Sequence, residues 1–247
     1  MSQSPNTDES STSQIPALTT LMALGWTYLP PAACMELREG NSNVVIKSQL
    51  IEALKAKRFE YRGKTYPLSA NSIDQIVRDL TAPSMGTGLL KANEAIYNQL
   101  TLGITVTEFI NGKKHSPTVK IIDWDNPHNN TYTFTEEFEV LNTAGTNTRR
   151  PDIVCFVNGL PLVVIEAKRA ASGNPNKSMI AEGISQSIRN QRQDEIPQLF
   201  AYSQLLMSIN GSEGRYGTTK TSGKFWSNWQ EEEIPETEFA RLKNLEL

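Results

Sequence analysis

Residues 149–170 read RRPDIVCFVNGLPLVVIEAKRA, two apolar runs around Asn158-Gly159, the second stopping on Glu166-Ala167-Lys168. Asn-Gly between such runs signals a β-hairpin, because both residues tolerate the positive φ that tight hairpin turns require. The second run is apolar at four consecutive positions, Leu162 to Ile165, so it is covered on both faces and belongs in the middle of a sheet. The fold class that follows is α/β, with a mixed central sheet of about five strands flanked by helices. The charged strand end then falls at the edge of that sheet, where α/β proteins build their sites.

Along a strand the side chains alternate faces, so Glu166 and Lys168 share one face and Ala167 points to the other. Whether Asp152 joins them depends on register. A two-residue turn pairing Val157 with Leu160 sets Asp152 opposite Ile165, on the wrong face. A three-residue connection, Asn158 to Leu160 with a bulge at Gly159 or Leu160, pairs Val157 with Pro161 and brings Asp152 opposite Glu166. That bulged register, or an equivalent irregularity near Asp152, is the expectation. Two carboxylates so placed repel unless a cation lies between them, and oxygen donors with open positions suit Mg²⁺. Mg²⁺ held there polarises a phosphate oxygen and acidifies a bound water, while Lys168 orients that water or offsets developing negative charge. The chemistry is phosphodiester hydrolysis. The competing reading makes Glu166 and Lys168 a surface ion pair worth about 0–1 kcal/mol, with Asp152 a turn residue.

Upstream, residues 1–14 are rich in Ser, Thr, Asn and Asp and have little to bury, which predicts a disordered tail. Helical spacing follows in residues 15–29, with Gly25 as an end signal, then around 48–59, over 69–83 with a capping Ser or Asn, and in the stretch GLLKANEAIYNQLTLG. The period changes to two after Gly103: ITVTEFI, TVKIIDW and TYTFTEEFEV predict a strand meander. Beyond the charged strand end, residues 177–192 return to helical spacing through Met179, Ile180, Ile184 and Ile188. A short helix after Pro197, a strand near Leu205–Ile209 and a hairpin around Gly211–Gly214 complete the pattern.

A formal charge of −3 gives no global attraction to nucleic acid, so DNA binding needs a local basic strip. One runs from Thr148 to Arg192, with seven basic residues (Arg149, Arg150, Lys168, Arg169, Lys177, Arg189, Arg192) against Asp152, Glu166 and Glu182. Arg149, Arg150, Arg169, Arg189 and Arg192 are the candidate contacts to backbone phosphates, without reading sequence. Two cysteines are too few for a disulfide framework, and two histidines in turn-rich loops support no histidine metal site. No signal peptide, membrane span or P-loop is visible, so a cytoplasmic protein with no membrane partner and no ATP site of its own is expected.

RPDIVCFVNGLPLVVIEAKR resembles the core motif of the PD-(D/E)xK nucleases as it occurs in the N-terminal domain of type I restriction enzyme R (HsdR) subunits. The downstream stretches IPQLFAYSQLLMSIN, GRYGT and FWSNW are similar to that family too. The likeness covers roughly residues 14–232 and implies a restriction-endonuclease-like fold. It also implies Mg²⁺ on Asp152, Glu166 and the backbone carbonyl of Ala167, with Lys168 assisting the attacking water. The family's Gln-x-x-x-Tyr pair on the next helix is matched at Gln186, but Asn190 stands where the Tyr would be. Gln198 and Tyr202 satisfy the spacing within a later segment of the family pattern. A first-helix Glu of the family has Gln14 in its place, so that acid is missing or supplied elsewhere.

The resemblance implies one nuclease domain over residues 15–235, with N-terminal helices at 15–103 and a catalytic core at 104–235. Residues 236–247 would start a linker to an ATP-driven motor. DNA would be cut without base preference, target choice and methylation belonging to separate specificity and modification subunits. Two alternatives stand beside this: a catalytically inactive module that docks DNA or partner subunits, and a stand-alone PD-(D/E)xK repair nuclease.

Overall fold

The computed structural model describes residues 13–169, 178–211, 213–229 and 237. Helix α1 (Ile15–Ala23) ends before Gly25, whose φ of 88° turns the chain into β1 (Thr27–Tyr28). Ser13 and Gln14, assigned above to a tail, are buried: the Ser13 hydroxyl donates to the Lys168 carbonyl at 2.5 Å, and Gln14 Nε2 donates to Glu136 Oε2 at 2.8 Å. After α2 (Pro31–Leu37) comes α3 (Lys47–Ala56). The helical spacing read over residues 48–59 gives way at Ala56, because Arg58-Phe59-Glu60-Tyr61 alternates polar and aromatic side chains with a period of two. It forms β2 (Arg58–Tyr61), which pairs with β3 (Lys64–Pro67) through Arg62-Gly63. Helix α4 (Ala70–Thr81) is capped as expected, with the Ser69 hydroxyl accepting from Ser72 N, and buries Ile73, Ile76 and Leu80. Helix α5 (Leu89–Leu102) runs between Gly88 and Gly103 and buries Leu89, Ala92, Ile96 and Leu100.

The meander expected after Gly103 is not one sheet. Its first part folds into two small ribbons, β4 (Ile104–Thr105) with β7 (Thr118–Val119) and β5 (Glu108–Ile110) with β6 (Lys113–His115). The strand read in TVKIIDW keeps only Thr118–Val119. Ile121 and Ile122 are buried, but the Asp123 carboxylate accepts from Asn126 N at 2.9 Å, a local turn that competes with any ladder.

With β8 (Tyr132–Glu136) the chain pairs in parallel with β1 in the central sheet, leaves it for the ribbon β9 (Val140–Leu141) and β10 (Thr148–Arg149), and returns as β11 (Ile153–Val157) and β12 (Leu160–Ala167). Helices α6 (Met179–Asn190) and α7 (Pro197–Phe200) lie between β12 and β13 (Leu205–Ile209), which pair in parallel. Then come β14 (Gly214–Gly217) and β15 (Ser227–Asn228). Seven described strands make the sheet, in the order β1-β8-β11-β12-β13-β14-β15, where the sequence suggested about five; the edge pairs are only two residues long and leave little periodicity to read. Alternation sorts the core. Phe134, Ile153, Cys155 and Ile165 face α1, whereas Val154, Phe156, Val164 and Leu206 face the larger cluster built with α3 to α6.

The β11–β12 connection departs from the expected three-residue form. Asn158 (φ 52°) and Gly159 (φ 80°) make a two-residue turn, and Val157 pairs with Leu160. The extra residue lies further on: Phe156 pairs with Pro161 but Cys155 with Val163, so Leu162 is the bulge. Pro161, which has no N–H to give a ladder, sits beside it. The shift carries through Val154–Val164 and Ile153–Ile165, so the next step brings Asp152 opposite Glu166. Gly159 does a second job: its carbonyl accepts from Ile46 N at 2.9 Å, and a Cβ there would meet Ile46 O at 2.3 Å. Gly159→Ala is therefore expected to cost about 2–4 kcal/mol, read as a lower urea midpoint, from overpacking together with a left-handed backbone. A cost under about 0.5 kcal/mol would show that the turn can move away from α3.

Candidate active site

Asp152 lies at the mouth of β11, held by its own backbone: Glu137 N donates to its carbonyl at 2.8 Å, and Phe138 N to that of Pro151 at 3.0 Å. Its Oδ2 accepts from Ala167 N at 2.8 Å and from Lys168 Nζ at 2.9 Å. Lys168 Nζ also reaches the Ala167 carbonyl at 3.2 Å and stands 3.7 Å from Glu166 Oε2. The Lys168 main chain is fixed through its N–H to the Ile209 carbonyl of β13 at 2.8 Å. The three side chains read from the strand end thus converge within ion-pair distance, while Ala167 packs its methyl into the opposite layer and keeps its carbonyl at the site.

Glu166 is the exception to ordinary satisfaction. Its side chain is 1% exposed, and neither carboxylate oxygen has a hydrogen-bond partner. Burial, and then the neighbouring charge of Asp152, push its pKa well above the usual carboxylate range; the Lys168 ammonium opposes this without cancelling it. One ammonium serves two carboxylates. A buried carboxylate that shares one ammonium with another acid and has no hydrogen bond is costly, so the pair requires either a proton or a second cation. The donors gathered here are the Asp152 and Glu166 carboxylates and the Ala167 carbonyl, all hard oxygens of the kind that hold Mg²⁺ or Mn²⁺ rather than softer metals.

Helix α6 comes close over this edge because residue 183 is glycine: a Cβ would stand 2.3 Å from Ser208 Oγ and 3.3 Å from Lys168 Cγ. Ser208 pairs with Glu166 across β12–β13 and donates to the Ile180 carbonyl at 3.0 Å, tying helix to strand. Gln186 is half-buried one turn beyond Gly183 on the same side of α6, and its amide makes no hydrogen bond with a described residue. Gln198 and Tyr202 are not part of this site. Gln198 Nε2 donates to the Leu141 carbonyl at 2.7 Å and the Tyr202 hydroxyl to that of Leu80 at 2.8 Å, while Gln204 N bonds Leu162, at the other end of β12. Neither Gly183 nor Ser208 was picked out by sequence. An isolated glycine inside a helical pattern is itself a sign of close packing, whereas Ser208 carries no such signal.

The arginines divide. Arg149 is engaged by Glu195 through two hydrogen bonds, one of 2.7 Å to Oε1, and Arg150 pairs with Glu137. These two are therefore not the free phosphate contacts that the sequence suggested; acids distant in the chain neutralise them. The Arg149 hydrogen bonds, aided by the nearby charges of Arg189 and Arg192, hold the Glu195 carboxyl below its usual range against desolvation. Arg169, Arg189 and Arg192 are exposed. Lys177 lies outside the described residues.

The mixed, helix-flanked sheet is an α/β restriction-endonuclease-like fold. Residues 6–225 match the family model described as the type I restriction enzyme R protein N terminus, and the chain belongs to that family. Similar curated proteins include the type I restriction enzyme HindI endonuclease subunit of Haemophilus influenzae, 29% identical over 218 residues, covering 86% of this chain and 19% of that protein. Two putative type I restriction enzyme endonuclease subunits of Methanocaldococcus jannaschii also match. MjaIXP is 26% identical over 87% of this chain and 20% of its own length, MjaVIIIP 33% identical over 79% and 17%. The chain thus spans about a fifth of the length of these relatives. Among the described residues no helix is long and apolar enough to cross a membrane.

The raised pKa of Glu166 has a sign that can be measured. Above about pH 4.3 the unfolded chain sheds this proton while the folded one keeps it, so metal-free stability is lost as pH rises from there through the raised value. Glu166→Gln removes the ionisation. In chelator at pH 8 it is expected to melt at least about 2 °C above the parent chain, with the gap closing toward pH 4; equal melting at both pH values would count against a buried Glu166 left under-compensated by Lys168.

Proposed function

We propose that this chain is the Mg²⁺-dependent endonuclease domain of a type I restriction enzyme R subunit, hydrolysing phosphodiester bonds of double-stranded DNA without sequence preference of its own. The observation that carries the reading is the buried Glu166 carboxylate, without a hydrogen bond at either oxygen beside Asp152 and the Ala167 carbonyl, with Lys168 shared between the two acids. Asp152, Glu166 and Ala167 would hold the ion, which when bound supplies charge to a phosphate oxygen and acidifies a water. Asp152 Oδ2 and the Ala167 carbonyl fix the Lys168 ammonium at this edge, where it orients the attacking water and offsets negative charge growing on the phosphate. Gln186, on the helix over the same edge, lends its amide to substrate or water. Arg169, Arg189 and Arg192 contact the DNA backbone. Arg149 and Arg150 do so only if their glutamates release them.

The relatives, named as endonuclease subunits of type I restriction enzymes, support the nuclease part of this reading; the motif resemblance extends it to a complex with specificity and modification subunits, in which ATP acts through a motor elsewhere in the polypeptide. A docking module would need neither the Leu162 bulge nor a buried acid without hydrogen bonds, and both weigh against it.

Calorimetric titration with Mn²⁺ or Mg²⁺, paired with plasmid nicking at high enzyme, tests the proposal. Asp152→Ala is expected to abolish metal binding and nicking. Lys168→Ala should retain metal binding, since it removes a competing cation, but slow nicking by about 10²-fold or more. Metal binding unchanged in Asp152→Ala would move the ion elsewhere and return the docking module to first place.

A further inference from the structure

Among the described residues three two-residue hairpin turns share one backbone geometry, with positive φ at both positions: Asn158-Gly159 (52°, 80°), Asn111-Gly112 (50°, 76°) and Arg62-Gly63 (52°, 72°). Asn is suited to the first position because its short polar side chain tolerates the left-handed region. Arginine is not, so Arg62 sits at the tip of the β2–β3 hairpin in spite of local strain. Glu39, Glu137 and Lys220 also have positive φ, so the strain alone assigns Arg62 no role.

The surroundings supply one. The β2–β3 and β5–β6 hairpins pack face to face through the His115 ring, centred 5.7 Å from that of Phe59 and 5.0 Å from that of Tyr61. Their tips rim a cleft of about 320 Å³ whose lining includes Tyr61, Arg62, Lys64, Tyr66, Asn111 and Lys113. Across residues 58–67 and 108–115 there are five basic residues (Arg58, Arg62, Lys64, Lys113, Lys114) against Glu60 and Glu108. Glu108 is buried, its Oε1 accepting from Ser69 N at 2.9 Å, and so adds little to the surface balance. Arg62, Lys64, Lys113 and Lys114 are exposed and form no ion pair with a described acid, unlike Arg149 and Arg150. In a chain of formal charge −3, positive charge stands uncompensated here.

Both ends of the helix that leads into the β2–β3 hairpin are tied to the turn end of β11–β12: the charge of Asp123, which is bonded through Asn130 to Asn158, acts on Lys57 just before β2. Ile46, which opens the helix leading into β2, is bonded to the Gly159 carbonyl at the turn end of β11–β12, and the five residues of β11 separate that end from Asp152 by about 17 Å.

We propose that this cleft binds backbone phosphates of duplex DNA away from the point of cleavage, with Arg62, Lys64 and Lys113 as the ligands and Tyr61 and Tyr66 as its walls. The planar fork of Arg62 suits two phosphate oxygens, and the two ammonium groups act as point charges. Such contacts position the duplex and read no bases. The inference rests on the reading that DNA is the substrate.

The test is fluorescence anisotropy of a labelled duplex of about 30 base pairs in chelator, over roughly 50–300 mM salt, using the 247-residue chain. Arg62→Gln, Lys64→Gln and Lys113→Gln combined should weaken binding at least about tenfold near 100 mM salt and make the plot of log K against log salt shallower by about 2 to 3. Lys55→Gln with Lys91→Gln, removing two exposed lysines that already pair with Glu52 and Glu94, should change neither. Arg62→Asn alone guards against misfolding of the triple variant: it should raise the melting temperature by relieving the turn, yet lower the salt slope by about 1. A duplex bound by the parent chain with the same affinity and slope in the triple variant and in Arg62→Asn overturns the cleft and leaves the nuclease reading standing. No binding by the parent chain at any salt overturns both.

Discussion

Strand parity sets everything else at the charged edge. Side chains on a strand alternate with period two, so Asp152 and Glu166 can share a face only if β11 and β12 are shifted by one residue relative to their turn. The turn, however, is committed to the two-residue form by Asn158, whose side chain bonds Thr131 N, Ile121 O and Asn130, and by Gly159, which fits only without a Cβ against Ile46. The chain satisfies both demands by placing the extra residue at Leu162, after the turn and before the charged end. Pro161 makes that position cheap, since a proline has no ladder hydrogen bond to lose.

With the register fixed, the electrostatics follow. The central position of β12 strips Glu166 of water, and the sheet offers it no donor: the nearest N–H groups at this edge go to Asp152 and to the Ile209 carbonyl. The fold therefore carries a standing cost at this point, of the kind tolerated where a site needs it. Gly183 and Ser208 keep the arrangement tight, because a helix one methyl group further out would no longer press on the Lys168 stem. On the proposed reading the same carboxylate that destabilises the metal-free chain is the one that captures the cation.

The legible part of this structure is the part with strong local grammar. The apolar run of Leu162 to Ile165 announced a central strand, Ser69 announced a helix start, Asn158-Gly159 a hairpin, and the Glu-Ala-Lys end a gathering of charge. What stayed hidden depends on long-range partners. No local pattern shows that Glu195, 46 residues on, will neutralise Arg149, or that Glu137 will take Arg150. Bulge position was also beyond reach: period-two reasoning demanded one extra residue but treated the turn as its natural place. The β2–β3 hairpin was lost because four alternating residues after an amphipathic helix are easily absorbed into the helical count.

Those hidden pairings change where positive charge is available, and thus which end of the molecule meets a polyanion first. Sequence counting concentrated it between Thr148 and Arg192, next to the acids. In the folded chain two of those arginines are spent on glutamates, while the twin hairpins, drawn from segments with no catalytic signal, keep theirs exposed. On the proposed reading, an edge rich in carboxylates would repel phosphate until a cation arrived, and a separate basic cleft would hold the duplex by long-range attraction while that edge was metal-free. Separating capture from cleavage in this way would suit the proposed domain that reads no bases, because affinity then need not be built into the site that does the chemistry.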